Sequence, residues 1–411
     1  MKNARVMTIA YVAMQFPAPS ETFASLDVET LRSQGHKVSV YGMRVKHKRF
    51  TDMMLQRGHA NLNVQNFSAC SIIYFFIFII CHPFITVSLL AWIFKSCYKE
   101  PKHLLKSLIL FPSAISIFSS VFKNKPDVVH LFWGHYPSMV GYLVRRFIPS
   151  TTVSQFLGAH DLMAAYPGSA QLARKADIIF THSHSNLSRL NAIGIDSNVI
   201  NVVVRGTKLD FPFEGDIDKF DSLKKPIFLT ASRLIKEKGV DNVLKIFSNI
   251  LNIYPEAILF IAGEGSFKYD LIKLAKSYSC INQIEFLGHL NQIELIKYMA
   301  KAHFFLLMSR YPSERLPNVV KEAMYQRCVV VTTDTDGIDE LVENRVSGFV
   351  VKSGDYIAGI NCVVECLKDV DKAKNIANQA HQTVKENFDV NMSMRKYIDL
   401  WQSSILRKNL L

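Results

Sequence analysis

Short apolar runs recur along this chain, separated by stretches of helical length with polar patterning, and the series breaks once and restarts. In the first half the runs are Val6–Val12, Lys37–Met43, Val128–Phe132, Thr152–Phe156, Asp177–Thr181 and Val199–Val204. In the second half they are Ile227–Ala231, Ala257–Ala262, Ile284–Leu287, His303–Met308, Val329–Thr332 and Gly348–Val351. Strands that alternate with helices specify parallel sheets covered on both faces. The break, 206–225, is polar, carries Gly and Pro and has no period, which reads as a linker. The sequence therefore predicts an α/β protein of two doubly wound parallel-sheet domains facing across a cleft: 1–205, then 226–385, with 386–411 as a C-terminal helix packing back on the first. Open sheets of this kind bind ligands beyond the carboxyl ends of their strands, so the loops there are the places to look for chemistry.

The bulk numbers agree with a folded chain. Of 411 residues, 49% are hydrophobic and 20% charged, and the net charge is +13. That composition excludes disorder and implies an anionic partner. No basic run interleaved with aromatics supports nucleic-acid binding. The seven cysteines (70, 81, 97, 280, 328, 362, 366) are scattered without a Cys-x-x-Cys pair, so neither a disulfide framework nor a zinc site is expected, and a reducing cytosol is. The start, MKNARVMTIAYVAM, reads as the first strand, because a signal peptide needs a longer apolar stretch and a small-residue cleavage site.

One segment stands apart. Phe67–Phe94 carries no formal charge and is long enough to span a bilayer, which takes roughly 20 apolar residues. His82-Pro83 interrupts it, and proline ends or kinks a helix. Two short helices are expected, with "RVKHKR" at 44–49 before them and Lys95, Lys99, Lys102 and Lys106 after them. Interfacial contact with acidic lipid, a buried helix pair and a true span are the three readings.

At the strand ends, "RYPSERLPNVVKEAM" (310–324) places Glu314 in a strand-to-helix loop and Glu322 a turn inside the helix. Pro317 suits the helix start, and Leu316 before it is expected to be extended. The backbone at Leu316, Pro317, Asn318 and Val319 brings a helix N-terminus, a ready anion site, between the two carboxylates. "TASRLIKEKGVD" (230–241) places Arg233 and Lys238 after another strand, a possible diphosphate cradle. Gly263 and Gly265 in "IAGEGSF", and Gly288 in "FLGHL", permit close backbone approach to a ligand. In the first half, His160-Asp161 lies in the loop of "QFLGAHDLMAAYP" and could contact a sugar or steady a reacting centre. Ser20 and Thr22 offer hydroxyls at the start of the first helix, which Ser20 should cap. His130 and His135 could line the same cleft or simply pack. No metal-ligand cluster is visible at productive spacing.

"SERLPNVVKEAM" resembles the E-x7-E motif of retaining family 4 glycosyltransferases, which have the GT-B fold, and "ASRLIKEKGVD" resembles that family's diphosphate loop. "PSETF" with "GHKVSVYGMR" is similar to members that build exopolysaccharide, such as colanic-acid-type transferases. The resemblance covers nearly all of the chain except 45–125. It implies that Glu322 bonds the nucleotide ribose, Glu314 holds the donor sugar, Arg233 and Lys238 neutralise the diphosphate, and His160 contacts the donor near its anomeric carbon. Glu314 and His160 are thus the candidate catalytic residues. Gly263, Gly265 and Leu316 to Val319 fall on the donor side; Ser20, Thr22 and Asp161 fall on the acceptor or first-loop side. It further implies a nucleotide-diphosphate sugar as co-substrate, no cofactor or divalent metal, and a lipid-linked or glycan acceptor in surface polysaccharide synthesis. A cytoplasmic protein with peripheral contact at the cytoplasmic face of the membrane is expected. A nucleotide-sugar epimerase on the same fold and a non-catalytic membrane scaffold are the alternatives. Three positions depart from the pattern. Arg315 stands where a small residue is usual, "YQRCVVV" lacks the usual Gly-x-Pro, and the first loop lacks the usual glycines.

Overall fold

The computed structural model describes residues 5–18, 21–212, 214–311 and 314–410. The chain forms two compact units, Met1–Val204 with Val390–Leu411, and Arg205–Asp389.

The first unit is built on strands β1 (Thr8–Ala13), β2 (Lys37–Gly42), β3 (Val64–Asn66), β4 (Val128–Leu131), β5 (Thr152–Phe156), β6 (Ile178–Thr181) and β7 (Ile200–Val202). They pair in parallel in the order β3-β2-β1-β4-β5-β6-β7. Side chains of a strand alternate between faces, and β1 feeds two cores that way. Ile9, Tyr11 and Ala13 join one, while Ala10, Val12 and Met14 join the other. The helix Val390–Asn409 covers the first core, burying Val390, Met394, Tyr397, Ile398, Trp401 and Ile405 on one stripe. Helices Ala69–Cys81, Pro83–Cys97 and Pro101–Asn124, between β3 and β4, help cover the second.

The second unit holds β8 (Ile227–Ala231), β9 (Ile258–Ala262), β10 (Ile284–Gly288), β11 (Phe304–Leu307), β12 (Val329–Thr333) and β13 (Phe349–Val351) in the parallel order β10-β9-β8-β11-β12-β13. In both sheets the winding reverses once, between β1 and β4 and between β8 and β11. Ligands bind at such switch points.

The structure corrects several expectations. β3 is a three-residue edge strand too short to signal itself. Val6 is 56% exposed and lies outside β1. Residues 206–225 belong to the second unit and contain a 3-10 turn, Ile217–Ser222, whose Phe220 is fully buried in its core. The first helix starts at Thr22 with Glu21 in the N-cap position and no side-chain cap; Ser20 lies outside the described residues.

Candidate functional site

The second unit gathers its polar residues at the β8/β11 switch point. After β8 the chain runs through Arg233 and a 3-10 turn, Lys236–Lys238, into the helix Val240–Leu251. Gly239 there has φ +67, and a Cβ on it would sit 1.8 Å from the carbonyl oxygen of Met308. Only glycine lets the β8 loop close on the end of β11. Arg310 stitches the same loops, with two bonds to the carboxylate of Asp241 at 2.8 and 2.7 Å and one to the carbonyl of Lys236 at 2.9 Å. Across this junction Lys238 Nζ donates to Glu314 Oε1, with only 13% and 12% of the two side chains exposed. Glu314 Oε2 is buried without a partner among the described residues. Arg233 is exposed.

Gly263 and Gly265 do the same work as Gly239. Cβ atoms there would lie 1.9 Å from the Ser232 carbonyl oxygen and 2.2 Å from that of Leu234. Their close approach is to the chain's own β8 loop, rather than to the ligand expected from the sequence. Leu316 also differs from expectation. Its φ is +48, left-handed backbone on a buried, non-glycine residue ahead of a proline. A bulky side chain in that region is strained, and such strain gathers at functional sites. Pro317 occupies the N-cap of the helix Asn318–Tyr325, whose first N–H groups have no helical acceptor. Asn318 accepts from Lys321 Nζ at 3.2 Å. Val319 is half-buried beside it.

Glu322 lies one turn into that helix, 5% exposed, and accepts from Gln292 Nε2 at 2.7 Å. Burial pushes its carboxyl up to about 7, against the pull of the Gln292 bond and the Lys321 charge. Gln292 opens the helix after β10, capped by an Asn291/Glu294 box. Arg315 turns under the loop to Asp336, at 2.9 Å after β12, with 2% of its side chain exposed and Nε and Nη1 unpartnered among the described residues. Loops after β8, β10 and β12 thus each hold a side chain of the segment after β11: Lys238 holds Glu314, Gln292 holds Glu322 and Asp336 holds Arg315.

In the first unit, Asp161 has the partner the sequence did not give it. His160 and Asp161 lie on a short helix, Ala159–Ala164, not in a loop. Asp161 is buried; one oxygen bonds His135 Nδ1 at 2.9 Å and the other accepts the Gly158 N–H at 3.0 Å. His160 is exposed and meets the edge of Trp133, ring centroids 6.2 Å apart. His130 is a core residue, held by Ser154 Oγ at 2.7 Å and packed against Trp401. Thr22 is exposed at the start of its helix.

Residues 214–383 match the family model described as glycosyl transferases group 1. The match takes in most of the second unit, which is similar to group 1 glycosyl transferases.

Relatives agree over a longer stretch. An uncharacterised glycosyltransferase of Haemophilus influenzae is 24% identical over 65% of this chain and 66% of its own length. The lipopolysaccharide core biosynthesis glycosyltransferase LpsE of Rhizobium meliloti is 22% identical over 65% of this chain and 80% of its own. Among solved structures, Anabaena Alr3699/HepE in complex with UDP and glucose superposes with a TM-score of 0.70 at 17% identity, covering 97% of this chain and all of that one. The fold of the chain is therefore GT-B. Gln292 was not singled out as a site residue by the sequence; the Asn-x-x-Glu cap after β10 was the available signal for it. His135 was named as a cleft-lining or packing residue, but its bond to Asp161, which joins two strand ends, left no signal.

Proposed function

We propose that this glycosyltransferase moves a sugar from a nucleotide-diphosphate sugar to a hydroxyl of a lipid-linked or glycan acceptor, with retention at the anomeric carbon. The observation that carries the reading is the Lys238–Glu314 pair, half-enclosed at the β8/β11 switch point beside a helix start and a second, buried carboxylate. The anomeric C–O bond breaks with its electrons going to the diphosphate oxygen, the acceptor hydroxyl oxygen bonds the anomeric carbon on the same face, and the hydroxyl proton passes to the departing diphosphate oxygen. Arg233, Lys238 and the N–H groups at the start of the Asn318–Tyr325 helix meet that charge. Fixed donors of this kind supply the largest share of catalysis in a dry site, and losing one costs about 3–4 kcal/mol. Glu322 receives the ribose hydroxyls and Glu314 the hydroxyls of the sugar. His160 bonds the sugar near the bond that breaks. In this reading the two cations do the work of a divalent metal, so EDTA leaves turnover in place. Its place is the cytoplasmic face of the membrane, in surface polysaccharide synthesis.

Thermal protection by a panel of nucleotide sugars identifies the donor, and NMR of the product fixes its anomer. Sugar interconversion without acceptor would make the protein an epimerase. No protection by any nucleotide would make it a scaffold. An inverted product would remove the retaining assignment alone.

A further inference from the structure

We infer that the helices Ala69–Cys81 and Pro83–Cys97 dock the first unit on an anionic lipid bilayer as a monotopic element. They meet at His82-Pro83 at 105°. Of Ala69–Cys81 the only buried residue is Phe78. Ile73, Phe76, Ile77, Ile80, Phe84 and Val87 are between 54% and 77% exposed. Scattered single hydrophobics are ordinary on a protein surface, but a contiguous run is not. Each of these lies on one of two adjoining helices, and neither helix carries an acidic side chain.

The opposite faces of the same helices belong to the core. Leu89 and Ile93 are fully buried with Val12, Val129 and Leu131 of the sheet. That argues against a span. The helices are 13 and 15 residues long, about 20 and 22 Å at 1.5 Å per residue, short of the roughly 30 Å hydrocarbon layer. Pro101–Asn124 has the length and apolarity to cross, yet Ala114, Ile115, Phe118 and Val121 are fully buried against the sheet. An element anchored on one side and bare on the other suits a helix lying in the interface.

Charge identifies the surface. Arg44, Lys46, Lys48 and Arg49 are exposed on a loop tied to the start of the helix pair by the Phe67 N–H to Arg44 carbonyl bond, 3.2 Å. Lys95, Lys99, Lys102 and Lys106 are exposed at its other end, against the one acid Glu100. Cations bracketing an apolar face match anionic headgroups around acyl chains. A second copy of this chain fits poorly, because a two-fold contact sets the same patch of each subunit against the other and would oppose basic flanks on a chain of net charge +13.

Flotation of the full-length protein with vesicles tests this without any sugar, so it stands or falls apart from the donor chemistry. The protein should float with phosphatidylcholine–phosphatidylglycerol vesicles and weakly with phosphatidylcholine alone. Lys95→Gln with Lys99→Gln should weaken binding by about tenfold or more, and Ile77→Glu with Ile80→Glu should abolish it at an unchanged melting temperature. Unmutated protein gives a second readout, since Cys70 and Cys81 are exposed on the first helix. Acidic vesicles should protect them from a water-soluble maleimide. Failure to float, unprotected cysteines, or a lipid-free dimer that the glutamate variants dissociate would overturn the inference. Resistance to alkaline carbonate would replace it with a span.

Discussion

Lys238 and Glu314, 76 positions apart, form a largely buried ion pair that joins the loops after β8 and β11. The family resemblance implied a diphosphate for the lysine and a sugar for the glutamate; in the free protein each is the other's partner. Removing one member of such a pair strands a buried charge, whereas removing both does not.

Lys238→Met should therefore destabilise the protein by about 3–5 kcal/mol, because Glu314 already has one oxygen without a partner among the described residues. The double variant Lys238→Met/Glu314→Gln should recover most of that loss and no activity. Arg233 is exposed, so Arg233→Ala should leave the melting temperature unchanged while costing about 2–4 kcal/mol of transition-state stabilisation. Urea unfolding and donor-dependent turnover, measured on the three variants, decide. Equal stability of all three would contradict the structural half of this prediction.

His160 and Asp161 are neighbours in sequence with different work. Asp161 fixes His135 and the Gly158 N–H, so Asp161→Ala leaves a buried donor unsatisfied and should cost about 1–3 kcal/mol of stability. His160→Ala should lower turnover at unchanged stability. Paired melts and initial rates separate the two, and a matching stability loss in both variants would refute the division.

Much of this was legible beforehand. Thr152–Phe156 and Ile227–Ala231 were read from the sequence with the observed bounds, because a short buried strand between helices leaves an apolar run with clear edges. Arg233, Lys238 and Glu314 stood out because each follows such a run closely, and Glu322 because an acid one turn inside the next helix is not needed for packing. The remainder depends on contacts distant in sequence. Asp161 bonds a histidine 26 positions back, and Gln292 reaches Glu322 across 30. Phe220 fills a core from within a stretch too polar to look structural. The left-handed Leu316 opposes its own local preference, and burial in the surrounding fold is what holds it there.

The C-terminal helix belongs to the first unit, and Trp401 is its main hold. The indole is 1% exposed and donates to Ser154 Oγ at 2.9 Å. Trp401→Ala removes the largest buried side chain of that core and should cost about 3–5 kcal/mol. Domain-resolved hydrogen exchange should show the loss in β4 to β6, with exchange in β8 to β13 unchanged. Equal loss of protection in both sheets would contradict it.

Glu322 makes a prediction whose sign can be worked out. Its carboxyl sits at about 7 in the folded protein, against 4.5 for the unperturbed group, because burial disfavours the charged form. Between those values the folded protein holds a proton that the unfolded chain has released, so unfolding stability falls as pH rises from about 4.5 to about 7. The whole loss is on the order of 3 kcal/mol at one pKa unit per 1.36 kcal/mol. It is complete above about pH 7, where the buried carboxylate is ionised in both states. Glu322→Gln keeps the shape and a bond to Gln292 but cannot ionise. The variant should match the wild type in melting temperature near pH 4, exceed it at pH 8, and bind the nucleotide diphosphate more weakly at both. Thermal melts across this range, with calorimetric titration of the nucleotide, check the two halves separately. Parallel stability curves for the two proteins would show that burial does not raise this carboxyl, and unchanged nucleotide affinity would remove it from the donor site.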